Sequence, residues 1–184
     1  MIQTALYRSE SGEWETPEAL FARVEMEYGP LMLDVCATAD SAKCPRYFDR
    51  EADGLSQQWD VPYWCNPPYG RDVRQWIEKG IQSRPLGVFL LPARTDTAWF
   101  HDLLYHHRLS EAAKGLDHVP RYGAGPRLGI NLIFLRGRVR FVGAKSSAPF
   151  PSVLAVLNGP LTARRHTHDH RALSTSPSTH PFEP

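Results

Sequence analysis

The stretch Trp64-Cys65-Asn66-Pro67-Pro68-Tyr69-Gly70 gathers the groups in this chain best suited to chemistry. Pro67 and Pro68 have a fixed φ and no N–H, so the backbone there offers carbonyls that can only accept hydrogen bonds. Asn66 adds a side-chain oxygen acceptor and Tyr69 an aromatic face. Acceptors beside a stacking ring suit a planar NH2, such as the exocyclic amine of a base drawn out of its duplex. A proline-rich turn between a strand and a helix is the plainer reading of the same tetrapeptide, and both readings stand on these four residues alone. Asp34, Asp49 and Asp53 each follow a short apolar run or a turn signal, where a carboxylate serves as ligand acceptor or as turn former. The small residues Cys36-Ala37-Thr38-Ala39 would let the backbone approach a ligand closely.

These groups need a scaffold, and the hydrophobic pattern supplies one. Thr16 reads as the N-cap of a helix with Pro17 at its first position. Leu20, Phe21 and Val24 fall on one face of it, and Gly29-Pro30 ends it. Residues 31–35 form a short apolar run fit for a buried parallel strand. A weaker strand at Tyr47-Phe48 and another over 61–65 follow. Residues 71–83 predict an amphipathic helix with Val73, Trp76, Ile77 and Ile81 inward. Val88-Phe89-Leu90-Leu91 is a continuous strand ended by Pro92, and 96–107 reads as a helix. Residues 109–129 read as a mobile loop. A hairpin is expected from 130–135 through Arg136-Gly137 to 138–142, and 151–157 gives a last strand. The class is α/β, a mostly parallel sheet with a terminal antiparallel hairpin. The folded domain is expected over 14–158, between a flexible 1–13 and a disordered 159–184. In such sheets ligands bind outside the carboxyl ends of the strands, where the residues named above fall.

Composition narrows the class. Of 184 residues 42% are hydrophobic and 22% charged, ordinary for a globular domain. No apolar run approaches the roughly 20 residues of a membrane span, and no signal-peptide pattern opens the chain. Cys36, Cys44 and Cys65 cannot form a closed disulfide set and show no CxxC pairing, so a cytoplasmic setting without a metal site is expected. Net charge is only +1, yet residues 1–118 carry 18 acids against 12 Lys and Arg, whereas 119–168 carry eight basics and no acid. That segregation suits a polyanion, and equally a solvated basic edge. Arg138 and Arg140 alternate with Val139 and Phe141, so either reading applies to them. Trp59, Trp76 and Trp99 sit among apolar neighbours and read as core.

Several short blocks, in one order, resemble the phage-type Dam family of DNA N6-adenine methyltransferases, which use S-adenosylmethionine (AdoMet). They are Trp14-Glu15-Thr16-Pro17, Leu33-Asp34-Val35-Cys36-Ala37-Thr38, Ala42-Lys43-Cys44, Asp53-Gly54-Leu55, Cys65-Asn66-Pro67-Pro68-Tyr69-Gly70-Arg71, Leu91-Pro92-Ala93-Arg94-Thr95-Asp96-Thr97, Gly137-Arg138-Val139-Arg140-Phe141 and Ala148-Pro149-Phe150-Pro151-Ser152. The resemblance implies a Rossmann-like AdoMet-dependent fold and methyl transfer to adenine in DNA by a phage or prophage enzyme. It implies that Asn66, Pro67, Pro68 and Tyr69 are catalytic. It places Trp14, Thr16 and Pro17 at the methionine end of the cofactor and Asp34, Cys36 and Ala37 under it. Asp49, with Glu51 as rival, would accept the ribose hydroxyls, and Asp53 would reach the cofactor's adenine. From its place after a strand, Arg94 reads as lining the base pocket on the DNA side or as pairing with Asp96, and Arg138 and Arg140 read as phosphate contacts or a solvated face. The usual Gly-x-Gly after the first strand is absent here, with Cys36-Ala37-Thr38 in its place. A protein glutamine N5-methyltransferase would use the same grip on an amide, and a DNA-binding module without catalysis would share the basic stretch.

Overall fold

Period-two alternation sorts the central strands onto two faces. A computed structural model describes residues 14–106, 125–126 and 129–158. In it β1 (Leu33–Asp34), β2 (Arg46–Tyr47), β3 (Tyr63–Cys65) and β4 (Gly87–Pro92) pair in parallel, and β7 (Ile130–Phe134) and β8 (Ser152–Leu157) complete the sheet. The six strands run in the order β2-β1-β3-β4-β8-β7, with β8 antiparallel to both neighbours. Tyr63, Cys65, Phe89, Leu91, Val153, Ala155 and Leu157 line one face, and Trp64, Val88, Leu90, Leu154 and Val156 the other. Such alternation on a sheet buried on both sides calls for a cover on each.

The covers are two helices of different kinds. Helix α1 (Glu18–Tyr28) lays Phe21 and Val24 on the Trp64 face. Helix α2 (Val73–Gln82) lays Val73, Trp76 and Ile77 on the other, where Trp59 also packs. α2 approaches so closely that a Cβ on Gly80 would stand 2.6 Å from the Phe89 ring and 2.9 Å from Leu157. The Tyr63 hydroxyl donates to the Gly80 carbonyl at 3.2 Å, locking helix to sheet. A π-helical turn, Phe100–Leu104, adds Phe100 and Leu104 to the same core. It leads into a two-stranded ribbon, β5 (Tyr105–His106) with β6 (Gly125–Pro126).

Four expectations change. The antiparallel partner of β7 is β8, while 138–142 lies in no ladder. Gly137 and Gly143, both at positive φ, turn the chain at either end of that stretch. β8 is wholly apolar after Ser152 and buried throughout, so it takes the two-sided place in the sheet. Residues 138–142 instead spend Val139 and Phe141 on closing the α1 face. Thr16 makes no cap bond; Pro17 occupies the N-cap, and the Thr16 hydroxyl turns elsewhere. Ile81 is 40% exposed, one position past the buried stripe of α2. The helix expected over 96–107 shrinks to the π-helical turn, because Tyr105–His106 pairs as a strand. Residues 1–13 and 159–184, expected to be flexible and disordered, and most of the expected loop 109–129 lie outside the described residues.

β1 has β2 on one side and β3 on the other, so the chain order reverses there. Its carboxyl end and that of β3 form the switch point at which open α/β sheets hold their ligands.

Candidate functional site

Asn66 stands at that point, one residue past β3. Its Nδ2 donates to the Trp14 carbonyl and, at 3.1 Å, to the Thr16 hydroxyl oxygen. A carbonyl cannot donate, so the amide nitrogen must face Trp14 and the oxygen must face away. That oxygen, Oδ1, is buried and has no hydrogen-bond partner among the described residues. An unsatisfied buried acceptor is disfavoured by about 1–3 kcal/mol, which a ligand N–H would relieve.

The segment 14–16 reaches Asn66 because several bonds hold it. The Trp14 ring packs on Phe141 at 5.1 Å and edge-on against Phe150 at 5.4 Å. The Glu15 carbonyl accepts from Val142 N–H at 3.0 Å. Lys43, with only 9% of its side chain exposed, reaches Glu15 at 3.5 Å and Glu18 at 3.4 Å. Thr16 is 3% exposed.

The acids beside this point differ in employment. Asp34 is buried, and its two oxygens accept from Cys36 N–H at 3.3 Å and Lys43 N–H at 3.1 Å. Desolvation pushes its pKa up to about 6, against the opposing pull of these bonds and of the Lys43 charge. It therefore braces the loop that follows β1, whose Cys36 and Ala37 are half-buried. Asp49 is half-buried and accepts from Ala52 N–H at 2.8 Å, while Glu51 is exposed. Asp53 is exposed and adopts φ 50°, a left-handed backbone that Asp tolerates. Next to it, a Cβ on Gly54 would stand 2.1 Å from the Val35 carbonyl, so only glycine lets this turn sit against the end of β1. Asp34, Cys36, Gly54 and Asn66 thus gather around two adjacent strand ends.

Tyr69 takes a different side. Its hydroxyl donates to the Leu90 carbonyl of β4 at 3.3 Å, and its ring meets Phe150 at 5.5 Å and Phe141 at 6.2 Å, both near-perpendicular. Burial of the hydroxyl pushes its pKa well above the ordinary value, while the residue as a whole stays partly exposed. Pro67 is buried and Pro68 exposed. Arg94 follows β4, half-buried, and its carbonyl is tied to the Thr97 hydroxyl at 2.8 Å. Arg138 and Arg140 are exposed, and Arg138 donates to the Ala148 carbonyl at 3.2 Å. Desolvation pushes the Cys44 thiol up to about 12 and Cys65 well above its ordinary value, which keeps both protonated at neutral pH.

The family model described as DNA N-6-adenine-methyltransferase (Dam) matches residues 3–166. The chain belongs to the Dam family. Over 92 residues it is 34% identical to the DNA N-6-adenine-methyltransferase of Escherichia phage T1, a match covering 47% of this chain but only 38% of the phage protein. Over 64 residues it is 31% identical to the putative methyltransferase YfdM of Escherichia coli strain K12, covering 31% of this chain and 70% of that protein. No solved structure matches the chain.

In this Dam-family chain, sequence reasoning passed over the partners of Asn66. A backbone carbonyl such as that of Trp14 leaves no residue-type signal, since any amino acid supplies one. Lys43 was open to a signal, a lone cation beside the Asp34 loop, but its partners lie 25 and 28 residues away. Ser152, named only within a sequence block, begins β8 beside Pro92 with a buried hydroxyl unbonded among the described residues.

Proposed function

We propose that the protein transfers a methyl group from AdoMet to N6 of adenine in DNA, on a Rossmann-like sheet spanning residues 14–158. The observation that carries this reading is the buried Asn66 Oδ1 at the switch point, without a hydrogen-bond partner among the described residues and turned away from the accept-only Trp14 carbonyl. Adenine N6 is a poor nucleophile because its lone pair is delocalised into the ring. Asn66 Oδ1 and the Pro67 carbonyl accept the two N6 hydrogens, which favours a pyramidal nitrogen with its lone pair localised. Position then matters more than a strong base. Tyr69, anchored through its hydroxyl, offers the exposed part of its ring to the extruded base, a contact of about 1–3 kcal/mol in single-strand binders.

The residues present fit AdoMet. The turn at Cys36 and Ala37 is built of small side chains, Gly54 allows close approach, and Asp53 keeps an exposed carboxylate beside it. Asp49 and Asp53 would accept from the ribose hydroxyls and the adenine amine, the main chain of Trp14, Thr16 and Pro17 would border the methionine end while the Thr16 hydroxyl stays on Asn66, and Asp34 shapes the floor. When bound, AdoMet supplies an electrophilic sulfonium methyl. Arg138 and Arg140 contact DNA, in keeping with the acid-free basic stretch, and Arg94 joins them from the end of β4. No helix among the described residues is long and apolar enough to cross a membrane.

The deciding experiment incubates the protein with labelled AdoMet and unmethylated DNA, digests the DNA to nucleosides and identifies the labelled base. N6-methyladenine is expected. Asn66→Ala should lower the rate by about 10²–10³-fold, the usual effect of removing one preorganised polar group. Unlabelled DNA, or full activity in the variant, contradicts the proposal.

A further inference from the structure

We infer that Thr16 is a positioning residue, whose hydroxyl fixes the plane of the Asn66 carboxamide and so aims Oδ1 at the substrate amine. The inference rests on the proposed function and deepens it. The Trp14 carbonyl and the Thr16 hydroxyl oxygen both accept from Asn66 Nδ2. The two bonds have distinct jobs. The Trp14 carbonyl can only accept, so it decides which end of the amide turns inward. A single bond still leaves the amide free to rock about its last side-chain torsion, which is broad for asparagine. The second bond, to Thr16, removes that freedom.

Three features suit Thr16 to this task. It is 3% exposed, so water does not compete for Nδ2. It is released from capping α1, because Pro17 occupies the N-cap and no side chain caps the helix. It stands in a segment fixed on both sides, by Lys43 on Glu15 and Glu18 and by Val142 N–H on the Glu15 carbonyl. A rigid support shell of this kind is what precise aiming requires. The same geometry favours asparagine over its isostere. An aspartate at 66 would set a carboxylate oxygen against the lone pairs of the Trp14 carbonyl, and only a protonated carboxyl could donate there.

The test uses the full chain with Thr16→Val, Thr16→Ser and Asn66→Asp, reading kcat, KM for DNA and the equilibrium Kd for AdoMet. Circular dichroism checks the fold of each variant. Thr16→Val should lower kcat about tenfold, the scale of one lost hydrogen bond, with Kd for AdoMet within about twofold of wild type. Thr16→Ser should return kcat to within about threefold. Asn66→Asp should be nearly inactive at pH 8 and regain rate as the pH falls. The Ser and Asp arms carry the test even where the Val variant folds poorly. An unchanged kcat in Thr16→Val, or a Kd that weakens in step with kcat, overturns the inference, the second outcome making Thr16 a direct cofactor contact. So does an Asn66→Asp variant fully active at pH 8. If wild type is active and Asn66→Ala is not, while Thr16→Val is unaffected, the inference alone fails. If wild type transfers no methyl to DNA, the proposed function fails and this inference with it.

Discussion

Asp34 carries an unusual sign for a carboxylate. Its folded pKa is raised, from 3.8 to about 6, because desolvation outweighs two backbone N–H bonds and the Lys43 charge. The folded state therefore binds more protons than the unfolded chain between about pH 4 and 6, so stability falls as the pH rises through that window. A shift of this size corresponds to about 3 kcal/mol at most. Urea midpoints measured from pH 4 to 7 should decline in wild type and decline less in Asp34→Asn; equal slopes would remove the assignment. At Tyr69 the hydroxyl and the ring have separable duties. Tyr69→Phe keeps the ring but leaves the Leu90 carbonyl without its side-chain donor, a change of about 1 kcal/mol in stability by urea titration. Methyl transfer by that variant should stay within about tenfold of wild type.

At the level of elements, the strands were the legible part. The continuous apolar run 88–91 and the apolar run before Asn66 fixed β4 and β3, since buried sheets tolerate few polar residues. The 138–142 stretch misled because alternation describes any extended chain with one face inward, whether or not a neighbour bonds to it. Thr16 misled for a related reason: Ser or Thr before Pro suits a helix cap, and nothing local reveals an asparagine 50 residues on. The switch point was visible only as a set of strand ends, because strand order depends on pairing rather than on pattern. α2 gives the clearest test of element packing. Gly80→Ala forces a methyl into the Phe89 ring and Leu157, and should destabilise by about 1–3 kcal/mol in thermal or urea unfolding. A neutral result would mean that α2 can shift off the sheet cheaply.

Over the whole molecule, charge and cleft are joined by one short segment. Residues 136–145 carry Arg136, Arg138, Arg140 and Lys145, and all four are exposed. Val142 in the same loop bonds to Glu15, next to the groups that hold Asn66. Arg140→Ala should leave the unfolding midpoint nearly unchanged, weaken DNA binding across sequences and reduce the salt slope of log K by about one. An unchanged slope would make Arg140 a solvated surface residue. Acid-free composition foretold a basic surface, but not that it would be tethered to the amide at its centre.

Trp14 precedes Asn66 by 52 residues, yet its carbonyl decides which way the later side chain turns. That contact belongs to no strand ladder and not to α2, so opening residues 14–16 would release Asn66 without breaking a ladder bond. Peeling residues 14–16 off the sheet would leave a protein of near-native spectrum in which Asn66 points at random. Under the proposed function, a local opening at residues 14–16 would silence methyl transfer while the sheet stays intact.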